Sequence, residues 1–223
     1  MLGSGGSILS VPILVYIMGI EPVLATAYSL FVIGTTSLVG GIHKAKQKLV
    51  DFNKVMLFGI PAVISVFVSR KVLVPKIPEI IFSSDDFTLS KSVLIMVVFA
   101  IVMVFALVRM IKPLKEKLVS NDEKLNYYKI AFLGICIGLI SGFVGAGGGF
   151  LIVPTLLFFA KTPMKMAVGT SLFIVSLQSL IGFTGDIMSD QIIDWKLLEL
   201  FTLASIIGIF IGKILFSAKS QSE

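Results

Sequence analysis

The sequence predicts an all-α, polytopic helical membrane protein made of two inverted repeats, each carrying a glycine-broken re-entrant hairpin. Three observations predict it: apolar blocks of about twenty residues, loops that alternate between basic and acidic, and a self-match at an offset of 142 residues.

Composition identifies the solvent. Of 223 residues, 56% are hydrophobic and 14% charged, and the mean hydropathy is +1.02. A water-facing polar surface cannot be built from that mixture. The formal net charge of +6 sits in short loops between apolar spans rather than along one polar face, which points to orientation in a lipid bilayer and away from nucleic acid. The single cysteine, Cys136, excludes an internal disulfide framework and a thiolate metal site of its own. Met1 and Leu2 run directly into glycine without a basic leader, so the first apolar block is expected to direct insertion.

In chain order, a short N-terminal block ends near Met18. Full spans are expected at Val23–His43, Phe52–Val74, Ser92–Met110, Met164–Phe183 and Trp195–Phe216. The stretch Tyr128–Ala160 is too long for one span and is interrupted by Gly145-Ala146-Gly147-Gly148-Gly149. After the interruption, Phe150–Ala160 would rise only about 16 Å as a helix, roughly half of a hydrocarbon core. A hairpin that returns to its starting side is predicted there.

Loop charges agree with that topology. The run His43 to Lys48 is basic, Ser83-Ser84-Asp85-Asp86 is acidic, and Arg109 to Lys129 holds six Lys and Arg. With cytoplasmic basic loops, a returning hairpin leaves Lys161, Lys165 and the C-terminal tail inside and the stretch Gly185-Asp186 to Asp194 outside. Then 14 of the 19 Lys and Arg are cytoplasmic; Arg70, Lys71, Lys76, Lys91 and Lys196 are the exceptions, with Arg70 and Lys71 expected to snorkel from a span end. The location predicted is the inner cell membrane, multi-pass.

The repeat superposes Gly3-Ser4-Gly5-Gly6-Ser7-Ile8-Leu9-Ser10-Val11-Pro12 on Gly145 to Pro154. It continues through Ala25, Ser29, Leu30 and Phe31 onto Ala167, Ser171, Leu172 and Phe173, and through Ser37, Leu38 and Gly40 onto Ser179, Leu180 and Gly182. From Gly3 to Ile42, 14 of 40 positions are identical, and one inserted residue later Asp51-Phe52 meets Asp194-Trp195. The copies carry opposite flanking charges and lie an odd number of crossings apart, so they are expected to be inverted. Repeat one is assigned to residues 1–118, a cytoplasmic linker to 119–126 and repeat two to 127–223. Secondary transporters commonly have this plan, with substrate near the midplane; a channel or a membrane scaffold is the alternative.

The run Gly145 to Pro154, followed by Ala167-Val168-Gly169-Thr170-Ser171-Leu172 and its weaker N-terminal copy, resembles the sulfite exporter TauE/SafE family. The resemblance extends from Gly3 to about Phe216. It implies a duplicated helical transporter of small inorganic or organic sulfur-containing anions, such as sulfite and organosulfonates. Compared with the second copy, the first glycine turn lacks a preceding helix and the second copy lacks a counterpart of Ser92–Met110. The expectation is a fragment, inactive as such, or a mis-started reading frame, or a homo-oligomer whose neighbouring subunit completes the missing surfaces.

Candidate site residues follow from helix electrostatics. A half-helix beginning at Gly147, Gly148 and Gly149 offers bare backbone N–H groups and the positive end of its dipole, and Gly5, Gly6 and Ser7 would offer a second such end. Close helix packing is the plainer role for glycine, as at Gly134, Gly138 and Gly142. Thr170, Ser171 and Ser29 would add hydroxyl donors, unless they bond back to their own helices. Gln178 is a lone polar residue within a span. Pro12 and Pro154 would kink the short helices. Arg70 and Lys213 occupy equivalent positions and would attract anions to the two mouths of a pathway. His43 is placed in a solvated loop. No zinc-type His and Glu spacing, Gly-x-Ser-x-Gly sequence or intramembrane carboxylate pair occurs, so no catalytic residue, metal or cofactor is expected.

Overall fold

The computed structural model of the chain describes residues 7–84, 87–111, 127–145, 147–188 and 193–219. The chain begins with α1, Ser7–Pro12, which widens after Pro12 into a π turn, Ile13–Ile17. It continues with α2, Pro22–Lys46, and α3, Phe52–Val68, which is prolonged by a π turn at Ser69–Leu73 and a last turn at Val74–Lys76. A two-stranded antiparallel ribbon, β1 (Ile80–Ser84) and β2 (Phe87–Ser90), leads into α4, Lys91–Ile111. Then come α5, Tyr127–Val144; α6, Gly149–Phe158; α7, Met164–Ile187; and α8, Trp195–Lys219.

The chain is an all-α polytopic membrane protein. Among the described residues, Pro22–Lys46, Phe52–Lys76, Tyr127–Val144 and Met164–Ile187 are each long and apolar enough to cross a bilayer. Outward faces are apolar too: Met56, Ile60 and Ile64 of α3, Phe132, Ile135 and Leu139 of α5, and Leu200, Leu203 and Ile207 of the later helix α8 are exposed. Lipid, not water, is the medium that such a surface fits.

Small residues bring the helices together. A Cβ at Gly134 would lie 2.7 Å from the Phe58 carbonyl oxygen, and one at Gly138 would lie 2.9 Å from the Ala62 Cα. Gly142 faces Ser69 in the same way. The order of these contacts makes α5 and α3 parallel, and Gly59 against Ile174, with Gly182 against Val66, makes α7 parallel to α3. In contrast, Gly34 lies against Leu180 and Gly41 against Phe173. Helices α2 and α7 are therefore antiparallel and cross at the level of Thr36 and Gln178, which are equivalent positions of the two sequence copies.

Two hydrogen bonds involve residues that the self-match of the sequence aligns. The Asp51 backbone N–H donates to Thr170 Oγ1 at 3.0 Å, and the Asp194 backbone N–H donates to the Tyr28 hydroxyl at 2.7 Å. Asp51 and Asp194 match in the repeat, as do Tyr28 and Thr170. Each aspartate also caps its helix, Asp51 Oδ1 accepting from Lys54 N and Asp194 Oδ1 from Leu197 N.

Between α5 and α7 the chain turns at glycine and comes back. Lys54 Nζ, on the first turn of α3, donates to Thr162 Oγ1 at 3.0 Å, so the hairpin of α5 and α6 ends on the side of the bundle where α5 starts. The Tyr128–Ala160 expectation matches this path.

Three readings are corrected. The Met164 span continues to Ile187, so Asp186 is helical and buried rather than part of a loop. Arg70 does not snorkel; it is 1% exposed in the π turn of α3 and ion-paired with Asp186 at 3.3 Å. Each charge makes the burial of the other tolerable. The segment flanking Asp85 and Asp86 pairs as β1 and β2 because Ile80-Ile81 and Phe87-Thr88 favour strand and are too short to span. Lys71 is exposed, its Nζ 5.5 Å from the Phe67 ring centroid, and His43 lies exposed in the last turn of α2.

A glycine turn among buried polar side chains

The turn between α5 and α6 requires glycine. Gly145, Gly147 and Gly148 have φ of +74°, +66° and +64°, left-handed values that strain any residue with a Cβ. Gly148 is the N-cap of α6 and supplies no side-chain acceptor. Its carbonyl accepts from Leu151 N and Ile152 N at 2.9 and 3.0 Å, while the N–H groups ahead of these have no intrahelical acceptor. The half-helix thus begins with backbone donors facing the interior.

Polar side chains from three helices converge on this turn. Gln178 Nε2 of α7 donates to the Gly147 carbonyl and, at 3.3 Å, to Ser141 Oγ of α5. A Cβ at Gly147 would lie 3.2 Å from Ser179 Oγ, and one at Gly148 would lie 3.0 Å from Ser141 Oγ. Gln178 and Ser179 are fully buried, yet Gln178 Oε1 and Ser179 Oγ have no partner among the described residues. From α2, Thr26 lies against Gly145 and Ile33 against Gly147. Ser29 shares that helix face by its three- and four-residue spacing, and its Oγ is buried without a described partner. Unpartnered buried hydroxyl and amide groups in apolar surroundings are costly.

Other candidates lie elsewhere. Thr170 accepts from Asp51 N at the start of α3, and Ser171 Oγ donates back to Val168 O at 2.9 Å; both are roughly 10–12 Å along α7 from Gln178. Pro12 immediately precedes the π turn of α1, and Pro154 sits inside α6. Gly5 and Gly6 lie outside the described residues, as do the side chains of Ser7 and Lys213. Val11 of α1 shares an apolar cluster with Val144 and Phe150, which brings the first short helix beside the turn. Ser141, Ser179 and the Arg70–Asp186 pair escaped the sequence reading. Only the repeat would have flagged Ser179, whose equivalent is Ser37; the pair had no local signal.

A bundle of long apolar helices with lipid-facing outer surfaces defines an integral membrane protein. Residues 1–222 match the sulfite exporter TauE/SafE family, and the chain belongs to that family. It is 28% identical, over 95% of its length and 80% of the relative's, to the probable membrane transporter protein YunE of Bacillus subtilis. A probable membrane transporter protein of Xylella fastidiosa is 27% identical over all of this chain and 81% of its own. A third, from Methanocaldococcus jannaschii, is 28% identical over 82% of this chain and 64% of its own. No solved structure matches. The chain is a multi-pass membrane transporter, not an enzyme.

Proposed function

We propose that this transporter carries small sulfur-containing anions, such as sulfite or organosulfonates, by alternating access around a site at the glycine turn. The carrying observation is the set of buried, unpartnered groups, Gln178 Oε1, Ser179 Oγ and Ser29 Oγ, gathered at the uncapped start of α6. Backbone N–H groups and the positive helix end would bind an oxyanion there, and Gly147 to Gly149 permit its close approach. Ser179 and Ser29 hydroxyls would donate to it, and Gln178 holds the turn open by its bond to the Gly147 carbonyl. The substrate class follows the family's name; the geometry supports an oxyanion.

The two halves, residues 1–118 and 127–223 joined by 119–126, act in this proposal as inverted repeats, and Gly5, Gly6 and Ser7, which align with Gly147 to Gly149 in sequence, are the proposed second holding point. The antiparallel crossing of α2 and α7, and the paired bonds Asp51 to Thr170 and Asp194 to Tyr28, support the inversion. Basic loops support a cytoplasmic C-terminus in an inner-membrane protein.

Purified protein in liposomes is expected to move labelled sulfite or a labelled sulfonate. Gly148→Leu should abolish this flux while membrane insertion persists, because a side chain there would enter the space beside Ser141 Oγ and Gln178 Nε2. Flux unchanged by Gly148→Leu removes the turn from the site. A protein that captures partners but moves no anion is a scaffold.

A further inference from the structure

Arg70 uses only part of its hydrogen-bonding capacity. Its Nη1 donates to Thr26 Oγ1 at 3.1 Å and to Asp186 Oδ1 at 3.3 Å. Thr26 Oγ1 in turn donates to the Val23 carbonyl at 2.7 Å, so its proton is committed and its lone pair is left for the guanidinium. The whole residue is 1% exposed, yet Nε and Nη2 have no partner among the described residues. These two atoms form one edge of the guanidinium, a fork of parallel donors that fits two oxygens on one central atom.

The Nη2 end of this edge lies against Gly145, and the aliphatic base of the side chain lies against Gly185. A Cβ at Gly145 would come 2.7 Å from Arg70 Nη2, and one at Gly185 would come 3.1 Å from Arg70 Cβ. Gly145 is the first glycine of the turn that starts α6. A purely structural ion pair would leave two charged donors desolvated and empty beside that turn, a state costing more than the pair returns. An anion on the fork removes the cost.

We infer that Arg70 is an oxyanion-holding residue: its Nε and Nη2 edge takes two oxygens of the transported anion, while Asp186 and Thr26 fix the guanidinium from the other side. The inference rests on the transport reading above and adds a further holding point to it, together with a substrate rule. The fork selects groups with two oxygens on one atom, such as sulfite, sulfate or a sulfonate, over a halide, which offers a single point. The repeat does not duplicate this device: the positions equivalent to Arg70 and Asp186 are Lys213 and Lys44, two like charges that cannot pair.

The test is equilibrium binding of radiolabelled sulfite to the purified full chain, with competition by sulfate, a short sulfonate and chloride. Arg70→Gln combined with Asp186→Asn removes both charges together and so avoids a lone buried ion; its Kd should weaken by about tenfold or more. Arg70→Lys keeps the ion pair but not the fork, and should weaken sulfite while erasing the preference for oxyanions over chloride. Wild-type affinity and preference in a variant that elutes as the parent does would overturn the inference and leave the glycine-turn site standing. A parent protein that binds none of the anions would overturn the transport reading, and this inference with it.

Discussion

Gly138 and Gly208 are both helical glycines, and their surroundings give opposite predictions. A Cβ at Gly138 meets the Ala62 backbone, which cannot move aside, whereas one at Gly208 meets nothing within 4 Å. Gly138→Ala should therefore lower stability by about 1–3 kcal/mol, and Gly208→Ala should raise it by up to about 1 kcal/mol through helix propensity. Apparent melting temperatures in one detergent will show whether the two shifts have opposite signs. At this scale the sequence was legible where a residue type is unusual for its place. Gln178 within an apolar span and the glycines at 147–149 could be picked out that way. The pairing of Arg70 with Asp186 could not, because 116 positions separate them and each alone resembles an ordinary span-end charge. Ser171 stayed open between two roles, because a serine in a span gives no sign of whether its hydroxyl turns inward or bonds back to its own helix, as it does here to Val168 O.

The helices themselves were legible because hydropathy sets their lengths, and the starts of α3 and α8 fall where Asp51 and Asp194 supply caps. The β1–β2 ribbon was not, since a short strand pair between two spans competes with loop on a few residues only. Long-range bonds join the start of one helix to the flank of another, and here the repeat makes a paired prediction. Thr170→Val removes the acceptor of Asp51 N, and Tyr28→Phe removes the acceptor of Asp194 N. Each should cost about 1 kcal/mol, measured as a fall in melting temperature, and the two losses should add because the sites lie at different helix starts. A large effect from one with none from the other would break the proposed equivalence of the halves.

For the whole molecule, the proposed site depends on two inverted halves facing each other across the crossing of α2 and α7 at the level of Thr36 and Gln178. The proposed copy relation rests on Gly, Pro and Ser identities, which hydrophobic bias does not produce. The packing of the helices was not legible, because it depends on which of them run parallel. If the halves are inverted, the loop after α2 and the loop after α7 must open on opposite sides of the membrane. The direct measurement is labelling with a membrane-impermeant thiol reagent in a Cys136→Ala background, with Lys46→Cys and Asp190→Cys introduced singly into intact cells. The predicted result is labelling of the cysteine at 190 from outside, and of the cysteine at 46 only after the membrane is opened. Both cysteines reacting from the same face would contradict the inversion and with it the paired broken-helix site.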